Sequence, residues 1–209
     1  MRWLLILVLS LGAARAQDNV AGQFDYYVLS LSWSPNWCAL EGDRRNSRQC
    51  APDKDFGWVL HGLWPQYEKG WPSFCATSAR NPRRSETRQE ADIYGTSGSA
   101  WHQWNKHGRC TGMTSEDYYA LARDAYARIE RPEIFRKLKE RVQVPAEVVE
   151  EAFLEANPHL SDDQMAVTCK DGHIQEIRIC LTKWLEPRRC GDDVIRDCQM
   201  TDALFEPIK

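Results

Sequence analysis

Eight cysteines behind an apolar leader constrain this chain more than any other feature. Residues 1–16 read MRWLLILVLSLGAARA. Arg2 supplies a short positive region, residues 3–11 an apolar core, and Ala14-Arg15-Ala16 a small-residue cleavage site. This layout predicts a signal peptide over 1–16 and one domain over 17–209, secreted or periplasmic. The apolar run is too short to span a bilayer, so no membrane association is expected once it is removed. Cys38, Cys50, Cys75, Cys110, Cys169, Cys180, Cys190 and Cys198 all follow it. An even number in an exported chain predicts a disulfide framework, and no C-x-x-C pair suggests zinc. The residues alone leave the pairing open.

The net charge is −3, and loss of Arg2 and Arg15 with the signal leaves −5. Indiscriminate polyanion binding is not expected from that balance. Arg80, Arg83, Arg84 and Arg88 form one basic cluster, read as a solvated loop or helix face.

Residues 24–33 (FDYYVLSLSW) read as a central strand. Residues 56–60 read as a second, delivering His61 and Trp64 at its end, where Gly62 and Pro65 break it. Part of 83–93 is expected to be helical. Thr114 to Asp117 resembles a capping box opening a helix to about Ile129. Pro132 and Pro145 predict helices to about Arg141 and Ala156, the second burying Val149 and Phe153. Residues 165–169 and 174–181 alternate around Asp171-Gly172 as a hairpin, with Arg178 facing away from Ile177 and Ile179. The class expected is α+β: a central antiparallel sheet packed against several helices and stapled by disulfides.

Two segments carry chemistry. Residues 58–65 read WVLHGLWP and residues 101–110 read WHQWNKHGRC, holding three of the five histidines. Imidazole moves protons near neutral pH, and lysine offers fixed charge to an anion. RNA carries its own nucleophile, the 2′-hydroxyl. Its cleavage needs a base for that proton, an acid for the leaving oxygen and cations around the phosphorus. Histidines and a lysine can do this without a metal or other cofactor. DNA, lacking the 2′-hydroxyl, would be excluded.

The segments HGLWP and W-N-K-H-G-x-C resemble the two active-site segments of the ribonuclease T2 family. The opening strand ending in P-x-x-C and the late cysteine hairpin extend the likeness. The resemblance implies an endoribonuclease cleaving single-stranded RNA through a 2′,3′-cyclic phosphate, acting as a monomer without cofactor. It makes His61 and His107 the acid–base pair, with His107 as base and His61 as acid, although the residues themselves do not decide which is which. It gives His102 to the phosphate and Lys106 to the phosphorane. Trp64 becomes a base-binding surface with Gln66 beside it. The implied disulfides are Cys38–Cys50, Cys75–Cys110, Cys169–Cys198 and Cys180–Cys190.

One position departs from the pattern. The family reads H-E-W where this chain has His102-Gln103-Trp104. Gln103 hydrogen-bonds but carries no charge. A catalytically silent relative that binds RNA or another partner is therefore the alternative. A metal-dependent phosphodiesterase would want clustered carboxylates that these segments lack. Restoring the carboxylate with Gln103→Glu should raise turnover on RNA; an unchanged or lower rate counts against that role for the missing charge.

Overall fold

The computed structural model describes residues 19–209; the expected signal peptide lies outside the described residues. Its strands are β1 (Tyr26–Trp33), β2 (Trp58–Gln66), β3 (Val142–Val144), β4 (Met165–Lys170), β5 (His173–Leu181) and β6 (Ala203–Phe205). They form one sheet in the order β2-β1-β5-β6-β3, with β4 also paired to β5. The β1, β2, β4 and β5 pairings and the β3–β6 pairing are antiparallel; a lone parallel bridge joins His173 to Leu204. The helices are α1 (Ser34–Trp37), α2 (Arg84–Gln89), α3 (Ala91–Tyr94), α4 (Ser97–Lys106), α5 (Ser115–Ala127) and α6 (Ala146–Ala156). The architecture is α+β.

β1 is the axis of the molecule. Its alternate residues Tyr27, Leu29, Leu31 and Trp33 are fully buried in the main core. There they join Leu63, Ile177 and Ile179 from flanking strands, Tyr118, Ala122 and Ala125 from α5, and Val149 and Phe153 from α6. Trp33, Trp58, Phe135, Phe153 and Phe205 pack ring to ring, with neighbouring centroids 4.7–6.2 Å apart. The opposite face divides. Tyr26, Val28, Cys180, Cys190 and Val194 make a small apolar cluster at one end. Ser30 and Ser32 pair there with Arg178 and Glu176 of β5, and that polar half underlies the site.

β2 does not end at His61 as expected but continues through Gly62 to Gln66. Ser30 pairs with Gly62 and Leu31 with Leu60, which leaves His61 unpaired as a bulge. Leu60 and Leu63 stand three residues apart, an odd spacing that a regular strand would send to opposite faces. The bulge puts both in the core and re-aims His61. Pro65 is tolerated because β2 is an edge strand.

The Pro132 helix does not form either. Only a 3₁₀ turn, Glu133–Lys137, follows Pro132. Phe135 enters the aromatic core, and Val142–Val144 is claimed by pairing with β6, so tertiary contacts override helix propensity. The short tail strand β6 was not anticipated. Buried Asn36 secures it, donating to the carbonyls of Ile174 (2.7 Å) and Leu204 (3.1 Å) and accepting from the Glu206 amide (2.7 Å). The Asp171-Gly172 turn has both residues at positive φ, 48° and 78°, as a tight hairpin turn requires.

Four disulfides join Cys38 to Cys50, Cys75 to Cys110, Cys169 to Cys198 and Cys180 to Cys190. The second ties the end of the histidine-rich segment to a loop 35 residues upstream. By loop entropy, replacing both Cys75 and Cys110 with alanine should lower unfolding free energy by about 3–4 kcal/mol, read from denaturant midpoints of the oxidised proteins.

Candidate active site

Helix α4 begins after Thr96, whose Oγ1 accepts from the Ser99 amide at 3.0 Å. It lies along β2 and buries Ala100, Gln103 and Trp104. Three- and four-residue spacing then places His102 and Lys106, and Gln103 and His107, as neighbours on its surface. Trp104 is fixed by donating to Asn81 Oδ1 (3.1 Å), and Tyr119 donates to the Ala100 carbonyl (2.9 Å). The helix stops at His107, and Gly108 follows, packed where a Cβ would lie 2.7 Å from Trp104 and 2.8 Å from Tyr118. The strip is thus locked by its own glycine as well as by Cys110.

This helix and the bulged strand face each other across a cavity of about 270 Å³. His61, Trp64 and Gln66 of β2 and His102, Gln103, Lys106 and His107 of α4 all line it. So do Trp71, the β5 residues Gln175, Glu176 and Arg178, and Asp193. The structure therefore gathers every sequence-predicted site residue in one place. His61, His102, Gln103, Gln175 and Glu176 also wall a larger adjoining cavity of about 590 Å³.

Glu176, like Trp71 and Asp193 on the same cavity, is a residue that sequence reasoning missed. It is 1 % exposed, and both carboxylate oxygens are engaged. One meets Nδ1 of His61; the other accepts from Arg178 Nε (2.9 Å) and Nη2 (2.8 Å). Burial alone would raise this acid, but His61 and Arg178 outweigh it and hold the carboxyl down at about 2. Glu176 fixes the His61 ring through Nδ1 and leaves Nε2 without a hydrogen bond to the described residues. The available signal was its place beside Arg178, both facing away from Ile177 and Ile179 in a strand already buried on its core face.

His107 is the contrasting histidine. It is buried, its Nδ1 has no hydrogen-bond partner among the described residues, and its ring stacks on Trp64 at 5.2 Å between centroids. Burial, then the neighbouring Lys106, His61 and His102, push its pKa down to about 2. His102 is also lowered, by burial and by Lys106 and His61. Its surroundings therefore favour the neutral ring, the form a general base requires, and an anion beside it would raise its basicity toward the working range.

Trp64 does not present a free ring. Besides His107, Arg178 lies 5.5 Å over it, His61 meets it edge-on at 5.1 Å, and its Nε1 donates to Gln103 Oε1 at 2.8 Å. Gln103 is buried and holds Trp64 rather than pairing with a charge. Gly62 makes this possible, since a Cβ there would fall 2.2 Å from Trp64 Nε1 and 2.3 Å from Gln103 Oε1. Exposed Trp71 is the aromatic left open on the same cavity. Arg109 is half-buried against Asn105 and does not line the cavity.

The match of the Ribonuclease T2 family model to residues 24–190 decides the kinship. The chain belongs to the ribonuclease T2 family. A protein named ribonuclease from Aeromonas hydrophila is 41% identical over 112 residues, 54% of this chain and 49% of that protein. A probable ribonuclease of Haemophilus influenzae is 28% identical over 127 residues, 55% and 47% of the two chains. The chain thus spans about half the length of these curated relatives. Among solved structures, an RNase-related protein from Calystegia sepium shares the fold at a TM-score of 0.66 and 19% identity. That likeness covers 88% of this chain and 97% of the other.

The pH behaviour of His107 follows from its surroundings. Its folded pKa lies below the unfolded value, so the stability it contributes is present above the unfolded pKa and is lost as pH falls. Two-dimensional NMR titration should find the His107 ring still neutral at about pH 5, where an unperturbed histidine is charged. Titration of that ring near pH 6.5 would show that the site is open to water.

Proposed function

We propose that this chain is an exported, metal-independent endoribonuclease that cleaves single-stranded RNA to a 2′,3′-cyclic phosphate. The observation that carries the reading is the unequal pair of histidines on one cavity. Neutral His107 suits the base, and His61, its Nδ1 held by a buried carboxylate, suits the acid. Family membership and the ribonuclease names of its relatives support it. One solved structure of the same fold, RNase NT, is described in complex with 5′-AMP.

The scissile phosphate would sit between His61 and His107, with His102 and Lys106 supplying positive charge. The 2′-oxygen attacks phosphorus while its proton passes to His107. The bond from phosphorus to the 5′-oxygen breaks, and that oxygen takes the proton from Nε2 of His61. Glu176 keeps Nδ1 of His61 protonated, so the proton in play is at Nε2. Lys106, which forms no ion pair with a described residue, offsets charge on the equatorial oxygens. A base of the substrate would stack on Trp71, with Gln66 and Asp193 as hydrogen-bonding groups beside it. DNA is not cleaved, because it lacks the nucleophile, and the protein acts as a monomer. Export is supported by the leader's layout and by four disulfides, which persist outside reducing compartments. No helix among the described residues is long and apolar enough to cross a membrane.

The test is single-stranded RNA incubated with purified protein in excess chelator, with product ends analysed. Cyclic-phosphate ends are expected, and His61→Ala or His107→Ala should each lower the rate by about 10²–10⁴. Glu176→Gln should lower kcat far more than it changes KM and move one limb of the pH–rate profile. No cleavage under any condition would leave the silent relative. Cleavage only with added metal would leave the metal-dependent phosphodiesterase.

A further inference from the structure

A third cavity, of about 550 Å³, lies beyond the active site. Arg84, Thr87 and Arg88 of α2 wall one side, and Ser97, Gly98 and Trp101 of α4 the other. Gly98 also lines the 590 Å³ cavity that reaches His61 and His102. The spaces therefore follow one another: past the histidines, across the first turn of α4, to the arginines. Trp101 immediately precedes His102 on the same helix and is 43% exposed.

The charges at this third cavity are unbalanced in a particular way. The acids of α2 and α3, and Glu90 between them, are each committed to another cation. Glu86 binds Arg80 at 2.6 and 2.9 Å, and Glu90 and Asp92 both bind Arg123, at 2.9 and 2.8 Å. Arg84 and Arg88, one helical turn apart and exposed, have no ion pair among the described residues. Two like charges at that spacing disfavour the helix slightly. Among the described residues no acid lines this cavity. Planar guanidinium groups match the oxygens of a phosphate diester, and an open indole beside them can stack on any base.

We propose that this cavity is a strand-binding subsite for RNA beyond the two nucleotides that flank the scissile phosphate. Arg84 and Arg88 contact backbone phosphates, and Trp101 stacks on a base. The basic cluster is thus a substrate surface rather than a merely solvated helix face. The proposal rests on the ribonuclease reading and would make longer RNA a better substrate than a dinucleotide.

The experiment compares a dinucleoside monophosphate with a single-stranded RNA of about twenty nucleotides, using Arg84→Ala/Arg88→Ala, Trp101→Ala and, as a charge control, Lys137→Ala/Lys139→Ala. Lys137 and Lys139 line none of the three cavities. Dinucleotide cleavage should stay within about twofold in every variant, since these side chains lie outside its reach. On the long RNA, kcat/KM should fall about tenfold in Trp101→Ala and in the double arginine variant. The double arginine variant should also flatten the log–log salt dependence by about 1.4, the value for two lost single-strand phosphate contacts. The lysine control should change neither substrate by more than about twofold. Equal loss on both substrates, no loss on the long RNA, or an equal loss in the lysine control would overturn the subsite. Binding of a non-cleavable 2′-O-methyl RNA of the same length is measured alongside. If the native protein cleaves neither substrate, the ribonuclease reading fails. The binding then decides the subsite: weaker binding in the double arginine variant supports it, and unchanged binding overturns it.

Discussion

The buried charge of Glu176 is the interaction on which the site depends. A carboxylate withdrawn from water costs several kcal/mol unless its oxygens are paired and hydrogen-bonded. Here both are, and each partner leads to another group of the site. His61 is held from one oxygen. Arg178, held from the other, extends over Trp64. Trp64 stacks on His107 and donates to Gln103. The two histidines belong to different elements, yet they are joined through one continuous set of contacts that starts at one acid. Such a set is stiff, because loosening any member leaves a buried charge or donor unsatisfied.

That set needs a particular backbone. Glu176 reaches His61 only because β2 carries an extra residue at 61, and β5 has its own bulge opposite. Thr168 pairs with Glu176 and Cys169 with Ile174, which leaves Gln175 unpaired beside the cavity. Two bulges on strands flanking β1 thus bring residues of both toward one point, while β1 stays regular and buried between them. Glycine at 62 completes the geometry, since any side chain there would occupy the space of the Trp64–Gln103 hydrogen bond. The bulge, the glycine and the tryptophan lie within four consecutive residues, which explains why chemistry is concentrated in so short a segment.

Much of this was legible in the sequence, for reasons that differ by element. The hairpin at Asp171-Gly172, the α5 cap at Thr114 and the buried pair Val149 and Phe153 rest on local rules that tertiary structure did not override. The two histidine segments stood out because proton carriers and cations were adjacent in the chain. Glu176 was legible only indirectly, through its place beside Arg178, because a charged residue alternating with isoleucines reads as facing solvent; in the fold His61 and Arg178 enclose it. The bulge at His61 escaped too. Gly62 and Pro65 resemble strand breakers until the odd spacing of Leu60 and Leu63 is set against a single core. The 3₁₀ turn after Pro132 and strand β6 depend on each other across more than sixty residues, which no local pattern encodes. Gln103 reads as a lost charge in the sequence; in the fold it is the acceptor that fixes Trp64.

On the proposed ribonuclease reading, an acidic chain would hold a polyanion through local fields, so the placement of its charges matters. At physiological ionic strength a charge is felt over only about 8 Å, so the distribution of charge matters more than its sum. Several arginines are neutralised: Arg45 by Glu41, Arg128 by Asp124, Arg136 by Asp55 and Arg188 by Glu68. Among the described residues Lys106 beside the histidines forms no ion pair, and neither do Arg84 and Arg88. Unpaired cations thus stand at both ends of α4, at Lys106 and beside Trp101, as others such as Lys137 and Lys139 do elsewhere on the surface. On that reading, RNA lying along α4 would meet unpaired cations at both of its ends. A fragment too short to reach both ends would keep only part of that attraction and so would leave sooner.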